Sequence, residues 1–174
     1  MVIIFFQNQE IMRNYCFLLF SLLLLAACGA SEKEQNALVE KEAFDTMIAL
    51  HDEVMPKMGP INKLSRQLKS VFPVVDSTNA ALGERVIQAI GDLEEADDGM
   101  MAWMNMNGGK KLEKLQAEKS HEEIMQYIKE EENSITNVKG LMLSSIEQAE
   151  DLLAELLRDY PNLESLLNKK SSSK

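Results

Sequence analysis

Apolar residues recur every three or four positions from Ala37 almost to the end of the chain, with charged and polar residues between them. This spacing is typical of amphipathic α-helices, because positions three, four and seven apart lie on one helical face. No segment shows the sustained alternation of a β-strand. We therefore expect an all-α fold, an up-down-up antiparallel three-helix bundle that occupies residues 37–168.

Turn and breaker residues divide this pattern. The first helix is predicted to start near Ala37, to kink at Pro56, to loosen or break at Gly59–Pro60 and to end at a turn around Pro73. The second helix is predicted over Leu82–Met104. The first apolar stripe is expected to leave out most of its charged neighbours, namely Glu40, Lys41, Glu42, Asp45 and Asp52.

The third helix has the clearest boundaries. Residues 105–119 predict a loop with room for a helical turn, and Ser120–Glu123 has the sequence of a capping box, which starts a helix. About 40 residues in helical register follow, and Pro161 ends them. A short terminal helix can follow over 163–167, and residues 169–174 read as a disordered tail. A long coiled-coil rod is the alternative, but the prolines cut the pattern into hairpin lengths.

The N-terminal segment predicts export. An apolar run from Phe17 ends in Leu25-Ala26-Ala27-Cys28, and it is too short for a membrane-spanning helix of about 20 residues. We interpret residues 1–27 as a signal peptide. Residues 1–10 carry no positive charge, which favours a start at Met12, so that Arg13 supplies it. A plain N-terminal membrane anchor is the alternative interpretation. Residues 28–36 are small, polar and charged, as expected of a tether.

Cleavage before Cys28 would leave 174 − 27 = 147 residues, enough for one domain with a modest core. One cysteine would remain, so disulfides and cysteine metal sites are not expected. The net charge of −10 argues against partners that are nucleic acids or anionic lipid headgroups. The stretch Leu25–Cys28 resembles the lipobox of bacterial lipoproteins, in which the cysteine receives diacylglycerol. Membrane attachment is therefore expected through acyl chains alone.

One helical face between positions 47 and 58 concentrates side chains that can bind metals. His51 lies on it with three methionines, and spacings of four, four and three residues keep all four within about a quarter of the helix circumference. A hairpin centred near Val75 places position 99 beside His51. A second methionine cluster lies there, and His121 and Met125 are predicted to approach the same layer. The candidate ligands are His51, Met47, Met55, Met58, Met100, Met101 and Met104, with Asp97 and Trp103 beside them.

The clustering has several interpretations. Methionines fill irregular cores, and His51 would then hydrogen-bond to Asp97. Alternatively, thioethers converging on one imidazole suit Cu(I), and the Trp103 ring could cover the cation. Zinc would need His51, His121 and Asp97 together. A haem with one His and one Met axial ligand is a further alternative.

Catalysis finds no support in the motifs. The chain has no serine–histidine constellation on a strand-to-helix elbow, no glycine-rich phosphate loop and no thiolate nucleophile. The acidic runs at 94–95, 97–98 and 130–132 are typical of solvated helix faces.

Three features resemble a family of small bacterial lipoproteins of unestablished function, whose members often carry the automatic label "viral A-type inclusion protein". They are the lipobox Leu25–Cys28, the block His51–Met58 and the block Met100–Met104. The resemblance covers most of the mature chain. It implies lipidation of Cys28 and a helical fold, and it implies no catalytic or ligand residue. His121 lies outside the family pattern.

These observations lead to three hypotheses. The first is a non-enzymatic, lipid-anchored binding or interaction module of the cell envelope, facing the periplasm or the cell surface, with an envelope protein as its partner. The second is a lipoprotein that binds Cu(I) through the histidine and methionine cluster. The third is a periplasmic chaperone or stress sensor, which requires an exposed apolar groove.

Overall fold

Helices account for nearly all of the chain that the computed structural model describes, which is residues 31–107 and 111–171. Within these ranges the chain contains no strand, and the all-α prediction is confirmed. The predicted signal peptide and Cys28 lie outside the described residues. The α-helices are α1 Glu32–Val54, α2 Met58–Thr78, α3 Ala80–Asn107, α4 Leu112–Glu118, α5 His121–Asp159 and α6 Leu163–Ser171, with a 3-10 turn at Met55–Lys57 between α1 and α2.

The chain divides into two units, and the division falls within α1, between Val39 and Glu40. In the first unit, α1 begins at Glu32 rather than at Ala37, so the predicted tether is helical over its second half. The reason is a capping pair. The amide of Ser31 donates to Oε2 of Glu34 at 2.8 Å, and the Ser31 hydroxyl accepts from the Glu34 amide at 3.4 Å, which satisfies two donors that a helix start leaves free.

The junction of α1 and α2 lies where Pro56 predicts a kink. Pro56 lies in the 3-10 turn, because its ring disfavours continued α-helix. The predicted break at Gly59–Pro60 is wrong, since both residues lie in the first turn of α2. Proline is tolerated there because the first backbone N–H groups of a helix have no intrahelical acceptor.

The predicted turn at Pro73 is also wrong, because Pro73 lies inside α2. An internal proline costs about 3 kcal/mol of helix stability. On either side of it, Val71 and Val75 are almost fully buried, and burial of each contributes about 1.5–3 kcal/mol. Packing of the two valines therefore outweighs the local preference of the proline.

The turn between α2 and α3 consists of Asn79 alone. Its amide donates to the carbonyl of Val75 at 2.8 Å, and its side-chain Oδ1 accepts from the amides of Ala81 and Leu82 at 3.1 and 3.2 Å. One residue thus closes α2 and caps α3. This confirms the predicted cap in the polar stretch after the valines, four residues beyond the predicted turn centre.

Helices α3 and α5 run antiparallel. Near the start of α3, Arg85 donates to both carboxylate oxygens of Glu155 at 2.8 and 2.7 Å. Near its end, the indole N–H of Trp103 donates to the carbonyl of Glu131 at 3.4 Å. Residue numbers therefore rise along one helix as they fall along the other. Because α2 and α3 form a hairpin, the up-down-up arrangement is present as predicted.

Helix α1, from Glu40 onward, runs in the same direction as α5. Glu40 pairs with His121, and further along, Glu53 pairs with Lys139 at 2.6 Å. The core between these helices is continuous, and its most deeply buried large side chains come from every long helix. They are Met47, Val54, Ile61, Leu68, Leu93, Met100, Ile124, Ile128, Ile135, Met142, Leu156 and Leu163.

The remaining elements close the ends of the bundle. Helix α4 lies in the predicted loop and buries Leu115. The capping box of Ser120 and Glu123 starts α5 as predicted. After Pro161, α6 packs on α2 and α5 and extends to Ser171, so residues 169–171 are helical instead of part of a disordered tail. None of the helices in the described part of the chain is both long and apolar enough to cross a membrane.

Candidate functional site

His51 lies near the C-terminal end of α1, with its ring largely covered by the protein. Its Nδ1 is 2.9 Å from Oδ1 of the neighbouring Asp52, which is exposed. A carboxylate accepts hydrogen bonds, so this contact places the proton of the neutral ring on Nδ1. The second ring nitrogen, Nε2, is then an unprotonated acceptor.

Nε2 of His51 is buried and has no hydrogen-bond partner. A buried polar atom without a partner destabilises the folded state by about 1–3 kcal/mol. Such atoms are rare in folded proteins and require an explanation, among which a bound ion is one. Among residues 31–107 and 111–171, Nε2 of His51 is therefore a chemically distinctive atom.

The ring of His51 stacks on Trp103 of α3, with ring centroids 5.3 Å apart and an angle of 24° between the planes. The indole is 4% exposed, and its N–H reaches the carbonyl of Glu131 on α5. The sequence predicts position 99 beside His51, and Trp103 is four residues, about one turn, from it. The predicted meeting of the two clusters is confirmed by this contact.

The methionines around His51 differ in burial and in their distance from it along the helices. Met47 and Met55 lie one turn before and one turn after it, Met47 fully buried and Met55 half-buried. On α3, Met100 precedes Trp103 by three residues and is fully buried, and the half-buried Met104 follows it.

Two candidates lie apart from this group. Met101 is 44% exposed, since it is turned by about 100° from Met100 around α3. Met58 is half-buried and lies in α2, beyond the 3-10 turn that interrupts the first helical face. Neither shares the continuous helical face of Met47 and His51 or of Met100 and Met104.

The expected hydrogen bond between His51 and Asp97 is absent, and that prediction is wrong. Asp97 Oδ1 accepts from the side-chain amide of Asn62 at 3.0 Å. The physical reason is position along α3: Asp97 precedes Trp103 by six residues, or about 9 Å. His51 takes its carboxylate partner from the next residue in the chain.

The arrangement needed for zinc is not found. Residues 31–107 and 111–171 contain no group of three or more His, Cys, Asp or Glu side chains that could hold a metal ion. The prediction that His121 approaches the layer of His51 is also wrong. His121 pairs with Glu40, which precedes His51 by eleven residues, or about 16 Å of helix.

A polar cluster around the buried Glu40, at the other end of α1, was not predicted from the sequence. Oε1 of Glu40 is 2.8 Å from Nδ1 of His121 in α5, and its Oε2 accepts from the side-chain amide of Gln116 in α4 at 2.7 Å. Glu40 is only 4% exposed. The signal was its spacing: Glu40 is seven residues before Met47, which puts it on the apolar stripe rather than outside it.

An open groove of about 460 Å³ lies between α1 and α5. Its floor holds Met125 and Ile128 of α5 and Ala43 of α1, whose small side chain leaves the space between the helices unfilled. The other lining residues are polar or charged, namely Glu122, Gln126, Lys129 and Glu132. The groove thus combines an apolar floor with a charged rim.

The pKa shifts near this surface have local causes. The pKa of Glu123 is lowered, first because its carboxylate accepts from the backbone amide of Ser120, and then by Lys119. Burial, with a contribution from Glu131, raises the pKa of Tyr127 to about 12. Tyr127 therefore stays neutral over the physiological range.

No protein-family model, no curated protein and no solved structure matches the chain.

Proposed function

We propose that the protein is a lipid-anchored, non-enzymatic binding module of the cell envelope, and that the groove between α1 and α5 is its binding surface. The anchor is the lipid on Cys28, supported by the lipobox-like sequence Leu25–Cys28. Acyl chains hold the domain at the membrane, because a net charge of −10 opposes adsorption to anionic headgroups. The module faces the periplasm or the cell surface.

The observation that carries the proposal is the groove itself. Its apolar floor combines the half-buried Ala43 and Met125 with the buried Ile128, and it lies between two long helices. Binding sites for proteins and peptides combine such a floor with a polar rim. A helix or extended segment of a partner could bury two or three apolar side chains there.

Charge restricts the partner. The groove lining carries Glu122, Glu132 and Lys129, for a net charge of 1 − 2 = −1. Three further glutamates of α5 lie between positions 122 and 132 in the sequence. An acidic rim favours association with a basic segment and repels an acidic one. The partner is therefore a basic, amphipathic segment of another envelope protein.

The anchor is tested by fractionation of cells that make the full-length protein. The wild type is expected in the membrane fraction with incorporated fatty acid. Cys28→Ala is expected to lose the fatty acid and accumulate as an unprocessed precursor. Equal lipid incorporation in both would refute the anchor.

The groove is tested with a photocrosslinking amino acid at Gln126, which lines it, in the lipidated protein in intact cells. The matched control position is Gln88, an exposed glutamine on α3. A discrete crosslinked species is expected at position 126, weakened by Met125→Lys and absent at position 88. Equal crosslinking at both positions would contradict the proposal.

The same experiment addresses the chaperone alternative, which the apolar floor also favours. A chaperone contacts many unfolded chains, so position 126 would give a broad range of crosslinked masses that increases under heat stress. A binding module gives one or a few discrete masses that do not depend on stress. The pattern of masses distinguishes the two.

A further inference from the structure

We infer that Nε2 of His51 is a ligand for a soft monovalent metal ion, Cu(I), in a site between α1 and α3 that the thioethers of Met47 and Met100 complete. This inference goes beyond the binding module proposed above. None of the residues that line the groove belongs to the copper site, so each proposal can fail without the other.

The first support is the state of the imidazole. Metal-binding histidines commonly donate their other ring N–H to a carboxylate, which fixes the tautomer and orients the ring. His51 has this arrangement, with Nδ1 2.9 Å from Asp52 and the remaining nitrogen buried without a partner. Asp52 is exposed, so the carboxylate lies on the solvent side and the free lone pair on the buried side.

The second support is the identity of the nearest helical neighbours. One turn before His51 on α1 is Met47, and one turn before Trp103 on α3 is Met100, and both are fully buried. A methionine side chain is long and has three rotatable bonds, so its sulfur can reach across a helix interface. His51 and Trp103 are in contact, which brings these two turns to the same depth of the bundle.

The third support is the match between these ligands and one class of metal. Cu(I) is bound by thioethers and imidazole and accepts few ligands, whereas zinc requires imidazole, thiolate or carboxylate in greater number. A water molecule on Nε2 would need two to four polar partners, and the methionines one turn away on the two helices offer only weak thioether acceptors. The half-buried Met55 and Met104 can supply a further sulfur.

Trp103 provides a local reporter, because it is the only tryptophan in the chain and its ring stacks on His51. A copper ion on the imidazole would lie close to the indole and is expected to quench its fluorescence. Ag(I), which has the same ligand preference and no accessible redox chemistry, should quench it too. Zn(II) should not.

The inference is tested with the lipidated protein in detergent micelles, titrated with Cu(I) under anaerobic conditions against a chromophoric Cu(I) chelator. We expect one Cu(I) per chain and quenching of Trp103 that is complete at one equivalent. His51→Ala should weaken binding at least about tenfold, and Asp52→Asn, which keeps the ring but weakens its orientation, about tenfold. Met47→Leu with Met100→Leu should weaken binding while conserving volume.

Two matched controls separate ligand loss from general damage. Met142→Leu removes a thioether on α5 that is also fully buried. Met142 is 142 − 131 = 11 residues, or about 16 Å of helix, from Glu131, whose carbonyl accepts the hydrogen bond of Trp103. His121→Gln removes the other imidazole of the bundle. Both should retain wild-type copper affinity, with the helical circular dichroism of every variant recorded alongside.

The inference is wrong if the wild type and folded His51→Ala compete equally well with the chelator for Cu(I). An equal loss in the Met142→Leu control, or retention of Zn(II) as strongly as Cu(I), would also overturn it. If His51→Ala fails to fold, the double leucine variant decides, because leucine conserves the packing and removes only the sulfurs.

Discussion

Nδ1 of His121 lies 2.8 Å from Oε1 of Glu40, in a contact that joins α1 to the start of α5 across 81 residues of sequence. The second oxygen of the same carboxylate accepts from Gln116 of α4. A single buried side chain thus holds three helices together. Its partners would lose a common acceptor if it were removed.

Glu40→Leu is expected to lower the free energy of unfolding by about 1–3 kcal/mol, because it removes the two hydrogen bonds that the carboxylate accepts from α4 and α5. Glu40→Gln, which keeps one acceptor oxygen, should have a smaller effect. Glu42→Leu is the matched control, since Glu42 is exposed on the same helix. Chemical denaturation measures all three, and equal losses for Glu40→Leu and Glu42→Leu would contradict the structural role.

Gly83 allows the close approach of α2 and α3 beside their one-residue turn. A Cβ at this position would lie 2.4 Å from Oδ1 of Asp76 and 3.0 Å from its Cα. The carboxylate can rotate away, but the backbone can move only with the helix. Gly83→Ala is therefore expected to destabilise the protein by about 1–3 kcal/mol, although alanine favours helix more than glycine does.

Gly91→Ala is the control for this prediction. Gly91 lies on the same helix, and no atom lies within 4 Å of an added Cβ. There the alanine should stabilise the protein by up to about 1 kcal/mol through helix propensity alone. Thermal unfolding of the two variants should shift in opposite directions, and a shift in the same direction would refute the close approach.

The capping box at the start of α5 predicts a dependence on pH. The Ser120 amide donates to Oε2 of Glu123 at 2.8 Å and holds the pKa of this carboxyl below its ordinary value of 4.5. A depressed folded-state pKa contributes stability above the unfolded-state pKa, and this contribution is lost as pH falls through the folded-state value. Glu123→Gln should therefore lower the midpoint of thermal unfolding at neutral pH.

The difference between Glu123→Gln and the wild type should start to shrink as pH falls below 4.5 and should disappear below the lowered folded-state pKa of Glu123, because both side chains are neutral there. Glu147→Gln, at an exposed position in the middle of α5, is the control and should show no comparable change in this difference. A midpoint difference for Glu123→Gln that stays constant between neutral and acid pH would argue against the carboxylate cap.

The parts of the fold that the sequence predicted correctly are those with local causes. Helix α5 extends over 39 residues because its apolar stripe is regular, its start has a capping box and its end precedes Pro161. The contact of His51 with Trp103 could also be predicted, since the two clusters lie at comparable sequence distances from the first turn. A regular helical pattern and one turn were enough for both predictions.

The wrong predictions concern positions where packing between distant segments determines the structure. Pro73 remains inside α2 because Val71 and Val75 bury their side chains on a neighbour that the local sequence does not reveal. The partners of Glu40 belong to α4 and α5, 76 and 81 residues away, so a carboxylate on an apolar stripe could be recognised only with the topology known. Likewise, Nε2 of His51 has no hydrogen-bond partner because of the groups that surround it in the fold, and the local sequence does not reveal them.

Tyr127 predicts a loss of stability at alkaline pH. Burial, with a contribution from Glu131, raises its pKa from 10.0 to about 12, since the charged phenolate is disfavoured there. A raised folded-state pKa contributes stability that is complete below pH 10 and is lost as pH rises toward 12. In a spectrophotometric titration, Tyr127 should ionise in a late step that Tyr127→Phe removes and Tyr160→Phe retains. The thermal midpoint of Tyr127→Phe should also fall less steeply than that of the wild type over this pH interval, and parallel curves would refute the buried phenol.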